Sequence, residues 1–165
     1  MGYYKPISLE GNSITDIHPN TFRNNRRLKY LYIWRNQITT IYTETFIYIA
    51  DSLSFDFGRN SITYIGASAF RSNSWLRILN TSVNNITSID SDTFSYNKQL
   101  QSLELQNNSI SDIHVTTFRY NSRLRRLDIS GNSIAHFNPF QPRDAIWHHA
   151  FHLFLICMPF AHWLQ

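Results

Sequence analysis

The chain has 165 residues, of which 42% are hydrophobic and 16% are charged. This length suits one domain of ordinary size, and the composition excludes a disordered polyelectrolyte because it supplies enough apolar side chains for a core. The formal net charge is +4, but lysine and arginine are spread along the chain, with short clusters at Arg26 and Arg27 and within residues 123–126. Charge alone therefore gives no reason to expect a nucleic-acid partner.

The N-terminal residues show no targeting signal. Residues 1–6 lack the apolar stretch of a secretory signal peptide, and Pro6 stands where a myristoylation signal has serine or threonine. The single cysteine, Cys157, cannot form an intrachain disulfide, so it gives no support for an oxidising compartment. These features keep a cytoplasmic location open as the alternative to export.

A 24-residue period organises most of the chain. Asparagine recurs at this interval without insertion or deletion, and isoleucine follows it two and five residues later, except that Phe137 takes the second isoleucine position of the sixth repeat. Phenylalanine follows ten residues after the asparagine in the first five repeats, and Pro142 takes that place in the sixth. The asparagine column is Asn12, Asn36, Asn60, Asn84, Asn108 and Asn132, and the phenylalanine column is Phe22, Phe46, Phe70, Phe94 and Phe118.

Each repeat also predicts a short strand just before its asparagine. Apolar residues eight, five and three positions earlier, such as Leu100, Leu103 and Leu105, alternate as in a strand with one buried face. Strands are expected near residues 31–33, 55–57, 79–81, 103–105 and 127–129. No repeat has enough apolar surface to fold alone, so the repeats must stack. In the stack, we expect the asparagines to be buried and bonded to turn backbone.

These columns, written LxxLxLxxNxIxxIxxxxF, resemble the leucine-rich repeat family. The 24-residue length is similar to the subclass found in Toll-type receptors and in matrix and adhesion proteins of animals. The resemblance implies the α/β repeat class: a leucine-rich repeat solenoid with a curved parallel sheet on the concave side and irregular or short helical convex segments. About six repeats span residues 4–142. Extracellular members of the family usually carry cysteine-bearing caps, and their absence here makes a receptor fragment one alternative.

The second repeat carries the residues that stand out as a contact site. The third, fifth and seventh positions of each strand point to the concave face, and there the second repeat has three aromatic residues beside Arg35. Such a combination is typical of binding hot spots, although these rings would also serve simply to pack on their neighbours. With polar and charged residues of other repeats, the candidate ligand-binding set is Tyr30, Tyr32, Trp34, Arg35, Asp56, Arg59 and Glu104.

Other chemistry is sparse in the sequence. Three glycosylation sequons begin at Asn80, Asn85 and Asn107. No catalytic motif, phosphate-binding loop or paired-cysteine site is found, so we expect no enzyme, no cofactor and no metal site. A metal-dependent enzyme that uses the histidines at 148, 149 and 152 is a remote alternative, because no carboxylate or thiol is positioned convincingly as a third ligand.

Residues 143–165 form an apolar, histidine-containing tail. The apolar run at 150–158 ends before Pro159 and is shorter than the roughly 20 residues that a membrane-spanning helix needs. We expect it to fold over the sixth repeat as an improvised cap, and membrane association follows only if the tail inserts instead.

The sequence thus predicts a protein-binding module of receptor or adhesion type that recognises another protein on its concave face. Its expected location is extracellular or at the cell surface. The alternatives are an intracellular scaffold and a nonfunctional fragment of a larger receptor.

Overall fold

The computed structural model describes residues 5–135, which form a parallel β solenoid. Six strands, one from each repeat, form a single sheet in chain order, with each strand hydrogen-bonded to that of the next repeat. They are β1 (Ile7–Ser8), β2 (Tyr30–Tyr32), β4 (Ser54–Asp56), β6 (Ile78–Asn80), β7 (Ser102–Glu104) and β8 (Arg126–Asp128). The solenoid fold predicted from the period is therefore confirmed.

The pairing register of the sheet repeats the sequence period. Leu31 pairs with Phe55, Phe55 with Leu79, and Leu79 with Leu103, so each partner lies 24 residues further on. Within residues 5–135, each of the five predicted strands is present, but it begins one residue earlier than expected. Backbone pairing continues past the strand ends, since the Ile33 amide donates to the Asp56 carbonyl at 2.8 Å.

The rest of each coil contains little regular structure. A second, two-stranded parallel sheet pairs β3 (Thr40–Ile41) with β5 (Tyr64–Ile65), and an isolated parallel bridge joins Ile89 to Ile113. A 3-10 helix spans Ile47–Ile49. The sequence analysis predicted irregular or short helical segments here but not the second sheet.

The core lies inside the coils as stacked hydrophobic columns. Consecutive rings of the phenylalanine column stack at centroid distances of 5.8 Å between Phe46 and Phe70, 6.3 Å between Phe70 and Phe94, and 6.0 Å between Phe94 and Phe118. In the third repeat, Phe55 and Phe57 add two further buried rings. These rings supply apolar volume in the repeat where Ser52 takes a leucine position.

The asparagine column forms the predicted hydrogen-bond ladder, but Asn12 at its N-terminal end is exposed and Asn132 is half-buried. Its four central members, Asn36, Asn60, Asn84 and Asn108, are buried. The Asn84 amide nitrogen donates to the carbonyls of Phe57 (3.0 Å) and Thr81 (3.1 Å), while its oxygen accepts from the Ile62 amide at 2.9 Å. The side chain therefore satisfies backbone groups of two layers at the point where strand pairing ends.

A second row of buried asparagines, which the sequence analysis missed, fixes the loops before the strands. Asn73, Asn97 and Asn121 are fully buried. The Asn97 amide nitrogen donates to the Phe70 and Asn73 carbonyls, both at 2.9 Å, and Asn121 repeats this pattern one layer further. We name these three residues the loop asparagines. They hold the segments after the phenylalanine column in the same 24-residue register as the sheet.

The predicted capping segment, Pro159 and the histidines at 148, 149 and 152 lie outside the described residues. Within residues 5–135, no helix has the length and apolar character that a membrane crossing requires.

Candidate binding face

The outward side of the six-stranded sheet is the face that the sequence analysis predicts to be concave. In β2, Leu31 is fully buried, whereas Tyr30 and Tyr32 on either side of it are half-buried. The same alternation recurs in β7, where Leu103 is buried between half-buried Ser102 and Glu104. We call this outward side the sheet face.

Tyr30, Tyr32 and Trp34 form an aromatic patch on the sheet face. All three side chains are half-buried rather than freely exposed. The indole nitrogen of Trp34 donates to a carboxylate oxygen of Glu10 at 2.5 Å, and the Arg35 guanidinium carbon lies 5.4 Å from the centroid of the Trp34 ring. Contacts with the first repeat thus hold Trp34 in place while part of its surface remains open to a partner.

Arg35 and Arg59 lie at the rim of the sheet face, on tight turns. Their φ angles are 57° and 54°, in the left-handed region that non-glycine residues rarely adopt. The residue before the ladder asparagine has a positive φ in all six repeats: Gly11, Arg35, Arg59, Val83, Asn107 and Gly131. This turn ends each strand, and Arg35 and Arg59 are both exposed in it.

Polar and acidic side chains run across the sheet next to the aromatic patch. Tyr32 pairs with Asp56 on the next strand. In the three strands that follow, the same position is taken by Asn80, Glu104 and Asp128. We call Asp56, Glu104 and Asp128 the acidic column. Glu104 forms a salt bridge to Arg126 at 3.5 Å.

Asp56 is the residue of the acidic column whose carboxyl pKa is raised. Burial raises the pKa of its carboxyl, and the nearby charges of Glu104 and Glu10 raise it further, against hydrogen bonds that lower it. One such bond comes from the Gly58 amide to the Asp56 carboxylate at 2.9 Å. A Cβ on Gly58 would lie 3.1 Å from the Asn80 side chain, so glycine leaves room for both polar groups.

The structure unites part of the predicted ligand-binding set. Tyr32 and Asp56 lie on neighbouring strands, whereas Glu104 lies two strands beyond Asp56, roughly 10 Å across the sheet. Glu10 contacts Trp34 although it was absent from that set. The signal for this contact was available in the sequence, because the two residues occupy the same repeat position 24 residues apart.

The three candidate glycosylation residues differ in their surroundings. Asn80 is half-buried on the sheet face, and its side-chain oxygen accepts from the Ser82 amide at 2.9 Å. Asn85 and Asn107 are exposed in the turns that follow β6 and β7. Their side chains are thus more accessible than that of Asn80.

Among the described residues, no group of three or more histidine, cysteine, aspartate or glutamate side chains is arranged to hold a metal ion. His18 and His114 are exposed, and a ring nitrogen of His114 lies 2.8 Å from the Thr116 hydroxyl.

Comparison with known proteins identifies the repeat. A family profile described as leucine rich repeat matches residues 5–51, 54–110 and 98–141, which is more than half of the chain. The chain belongs to the leucine-rich repeat family. No curated protein matches this leucine-rich repeat chain significantly.

Solved structures similar to this leucine-rich repeat chain include receptors of the Toll type. The Toll chain of the Drosophila Toll–Spatzle complex has 27% sequence identity and a TM-score of 0.72 over 77% of this chain and 18% of that one. The TLR13–ssRNA13 complex has 28% identity and a TM-score of 0.68 over 72% of this chain and 17% of that one. The leucine-rich repeat domain of APL1B, at 24% identity and a TM-score of 0.72 over 77% and 38%, supports the fold. The chain thus spans less than a fifth of the length of the two receptor chains.

Proposed function

We propose that this chain is a protein-binding module of a Toll-type receptor or adhesion protein, and that its sheet face contacts the partner. The observation that carries the proposal is the adjacency of the aromatic patch and the acidic column. Tyr32 pairs directly with Asp56 across neighbouring strands. An apolar contact area next to fixed negative charge suits a partner surface that combines an apolar side chain with lysine or arginine.

The rigidity of the face favours affinity. Trp34 is held by its hydrogen bond to Glu10, and Asp56 by the Gly58 amide. Ordering these side chains therefore costs little conformational entropy when a partner binds. The sheet beneath them is fixed by the asparagine ladder, so a partner meets a preformed surface.

The charge of the sheet face, rather than the comparisons, favours a protein partner over a nucleic acid. The Toll chain is in complex with Spatzle and TLR13 with a single-stranded RNA. Phosphate groups would be repelled by the acidic column, because Asp56, Glu104 and Asp128 face the same side of the sheet. A cationic protein surface would be attracted by it.

The extracellular or cell-surface location and the use of the sequons form part of this proposal. Asn85 and Asn107 are the favoured glycan acceptors, since both are exposed. Expression behind a secretion signal, followed by enzymatic removal of N-linked glycans, should give a mass decrease that is lost in the double variant Asn85→Gln, Asn107→Gln. An unchanged mass in the secreted parent chain would contradict glycosylation.

Site-specific photocrosslinking tests the binding face. A photoreactive phenylalanine analogue in place of Tyr32 should crosslink the partner, whereas the same analogue in place of Tyr64 should not. Tyr64 is 54% exposed but lies on the small second sheet. Crosslinking from position 64 and not from position 32 would contradict the proposed face.

With the crosslinked partner purified, calorimetry measures the contribution of the aromatic patch. Trp34→Ala should weaken binding by about 2 kcal/mol or more, while the matched variant Trp75→Ala, whose indole is 54% exposed outside the sheet, should leave affinity unchanged. Equal losses from the two variants would remove the aromatic patch from the contact.

A further inference from the structure

Charged residues are sorted between the two sides of the solenoid. The five segments that lead from the phenylalanine column into the strands contain ten lysine and arginine residues and one acidic residue, Asp51. The five segments that lead from the asparagine column towards the phenylalanine column contain five acidic residues and no lysine or arginine. The first set, residues 22–29, 46–53, 70–77, 94–101 and 118–125, is the basic flank. The second set, residues 12–21, 36–45, 60–69, 84–93 and 108–117, is the acidic flank.

The backbone stacks the cations of the basic flank into rows. Parallel strands all begin at the same edge of the sheet, so the segments that lead into them lie side by side. The amide of Arg77 donates to the carbonyl of Leu53, and the amide of Arg125 to that of Gln101, both at 2.8 Å. The loop asparagines hold the preceding turns in the same register. Cations that share a repeat position, such as Arg77 and Arg125, lie two layers and therefore roughly 10 Å apart, and residues 46–53 contribute none. The cations thus form an open, interrupted array along the solenoid.

These cations remain accessible and are largely unbalanced by acids. Nine of the ten are exposed, and Lys29, which is half-buried, forms a salt bridge to Asp51 at 3.3 Å. Within residues 5–135, the other acidic residues lie on the sheet face or on the acidic flank. Like charges concentrated on one flank repel one another, and an anionic partner would relieve this repulsion.

An open pocket lies at the N-terminal end of the basic flank. Its lining includes four cations, Lys5, Arg23, Arg26 and Arg27, together with Asn24 and Asn25. The described lining contains no acidic residue. Guanidinium groups bind the oxygens of sulfate and phosphate esters through paired hydrogen bonds, and asparagine amides add further donors.

We propose that the basic flank binds a sulfated polysaccharide, with one sulfate ester seated in this pocket. The polysaccharide is a linear polyanion, and it would lie along the cation rows across the repeats. This surface is separate from the sheet face, so the inference goes beyond the proposed protein-binding function.

Two contacts favour a polysaccharide over a nucleic acid on this flank. The Arg71 guanidinium carbon lies 5.8 Å from the Tyr96 ring centroid, and that of Arg119 lies 4.4 Å from the Tyr120 ring centroid. Single-stranded nucleic acids bind by stacking bases on such rings. Here arginine side chains of the chain already cover a face of each ring, which leaves the guanidinium groups for oxyanions but offers the bases a reduced platform.

Binding of size-defined heparin fragments to the full chain tests the proposal. Affinity should fall as salt concentration rises, and the double variant Arg123→Gln, Arg125→Gln should weaken it by about tenfold or more. The pocket variant Arg26→Gln, Arg27→Gln should do the same. The matched control is Arg35→Gln, Arg59→Gln, which removes the same charge from the rim of the sheet face and should change affinity less than about twofold.

Two further ligands test which kind of polyanion the basic flank binds. Chemically desulfated heparin should not bind, and single-stranded RNA of equal length should bind more weakly than heparin. Tighter binding of the RNA, persistent binding of the desulfated polymer, or equal losses in all three double variants would each overturn the proposal. Circular dichroism of each variant confirms that it is folded. Failure of the crosslinking test at position 32 would leave this result unaffected.

Discussion

Each ladder asparagine uses one side chain to replace the backbone hydrogen-bond partners that a sheet would otherwise provide. Each buried ladder side chain both donates to carbonyls and accepts from an amide of the neighbouring layer, as at Asn60. No other side chain of this size donates two protons and accepts in one planar group. This explains the asparagines from the second repeat onward, whereas Asn12 in the first repeat only donates, to the Leu9 and Glu10 carbonyls.

Asn84→Leu should strongly destabilise the solenoid. It removes the bonds to the Phe57 and Thr81 carbonyls and to the Ile62 amide, at a cost of about 1–3 kcal/mol for each group left unpaired and buried. Chemical denaturation measures the change. The neighbouring variant Asn85→Ala, at an exposed position, should stay within about 0.5 kcal/mol of the parent chain. A small effect at Asn84 would show that the ladder contributes little.

Asp56→Asn should stabilise the chain at neutral pH. The pKa of the Asp56 carboxyl is raised above its ordinary value of 3.8 in the folded state, chiefly by burial. The folded state therefore binds the proton more tightly than the unfolded state does. The stabilisation that this proton binding provides is fully present below pH 3.8 and is lost as the pH rises through the pKa of the folded state. Asparagine carries no such penalty, and Asn80 occupies the same position one repeat on with an equivalent bond to Ser82.

Thermal melting at two pH values checks this expectation. The variant should melt higher than the parent chain at pH 7, and the difference should disappear below pH 3.8. The exposed exchange Asp112→Asn on the acidic flank is the matched control. A variant that melts below the parent chain at pH 7 would mean that hydrogen bonding to the carboxylate outweighs burial.

The ladder asparagine was predictable from the sequence, whereas the interrupted row of loop asparagines was not. The ladder asparagine is present in all six repeats and was found at once. The loop asparagines share the 24-residue period, but Ile49 stands at their position in the second repeat, which hid the row. Glu10 and Trp34 share the seventh strand position, but a shared position does not reveal that two side chains bond, so this contact was missed.

At the scale of elements, the left-handed turn that ends each strand imposes a common conformation on different residues. Gly11 and Gly131 adopt it without steric cost, and Asn107 tolerates it. Val83, with a φ of 54°, is the β-branched residue of this set. A branched Cβ is poorly suited to this region, so the turn after β6 stores backbone strain.

Val83→Asn should relieve this strain and raise the free energy of unfolding by about 1 kcal/mol. Little apolar burial is lost, since Val83 is 39% exposed, and Asn107 shows that the turn accommodates asparagine. Val115→Asn is the control, because Val115 is 38% exposed and does not have a positive φ. Stabilisation by both variants alike would point to surface polarity instead of the turn conformation.

Strand positions were predictable only to within one residue. The apolar alternation marks which side chains face inward, whereas the ends depend on backbone hydrogen bonds that side chains do not reveal. The same reason explains why β3 and β5 were missed. Strands of two residues, such as Tyr64–Ile65, are too short to display a side-chain period.

At the scale of the whole molecule, constant repeat length lets every column continue across the stack. Each layer contacts mainly its two neighbours, so stability should depend on the number of intact interfaces. The uniform 24-residue register of the sheet and of both asparagine rows means that all three would fail together if one repeat changed length.

Duplication of one repeat tests this dependence. A second copy of residues 84–107, inserted after Asn107, should raise the denaturation midpoint and increase the denaturant m-value by roughly one sixth, because one repeat is added to six. Insertion of residues 96–107 alone, which is half a repeat, should lower the midpoint because it breaks the register. A lower midpoint after the full duplication would contradict the nearest-neighbour description.

The separation of positive and negative charge between the two flanks could not be predicted from the linear order of residues. Cations such as Arg77 and Arg125 are 48 residues apart in the sequence, and they meet on one flank only after the repeats stack. In the linear sequence these cations are therefore scattered. The candidate residues of the sheet face were easier to predict, because Tyr30, Tyr32 and Trp34 belong to a single strand and its end.

The opposite charges of the two flanks give the molecule an electric dipole perpendicular to its long axis. Near an anionic surface, the resulting torque would turn the basic flank inward and the acidic flank outward before contact is made. The sheet face lies between the flanks, because its strands run from one to the other. In this orientation the sheet face would point parallel to the anionic surface. Tyr32 and Asp56 would then be accessible to a second molecule that diffuses along that surface.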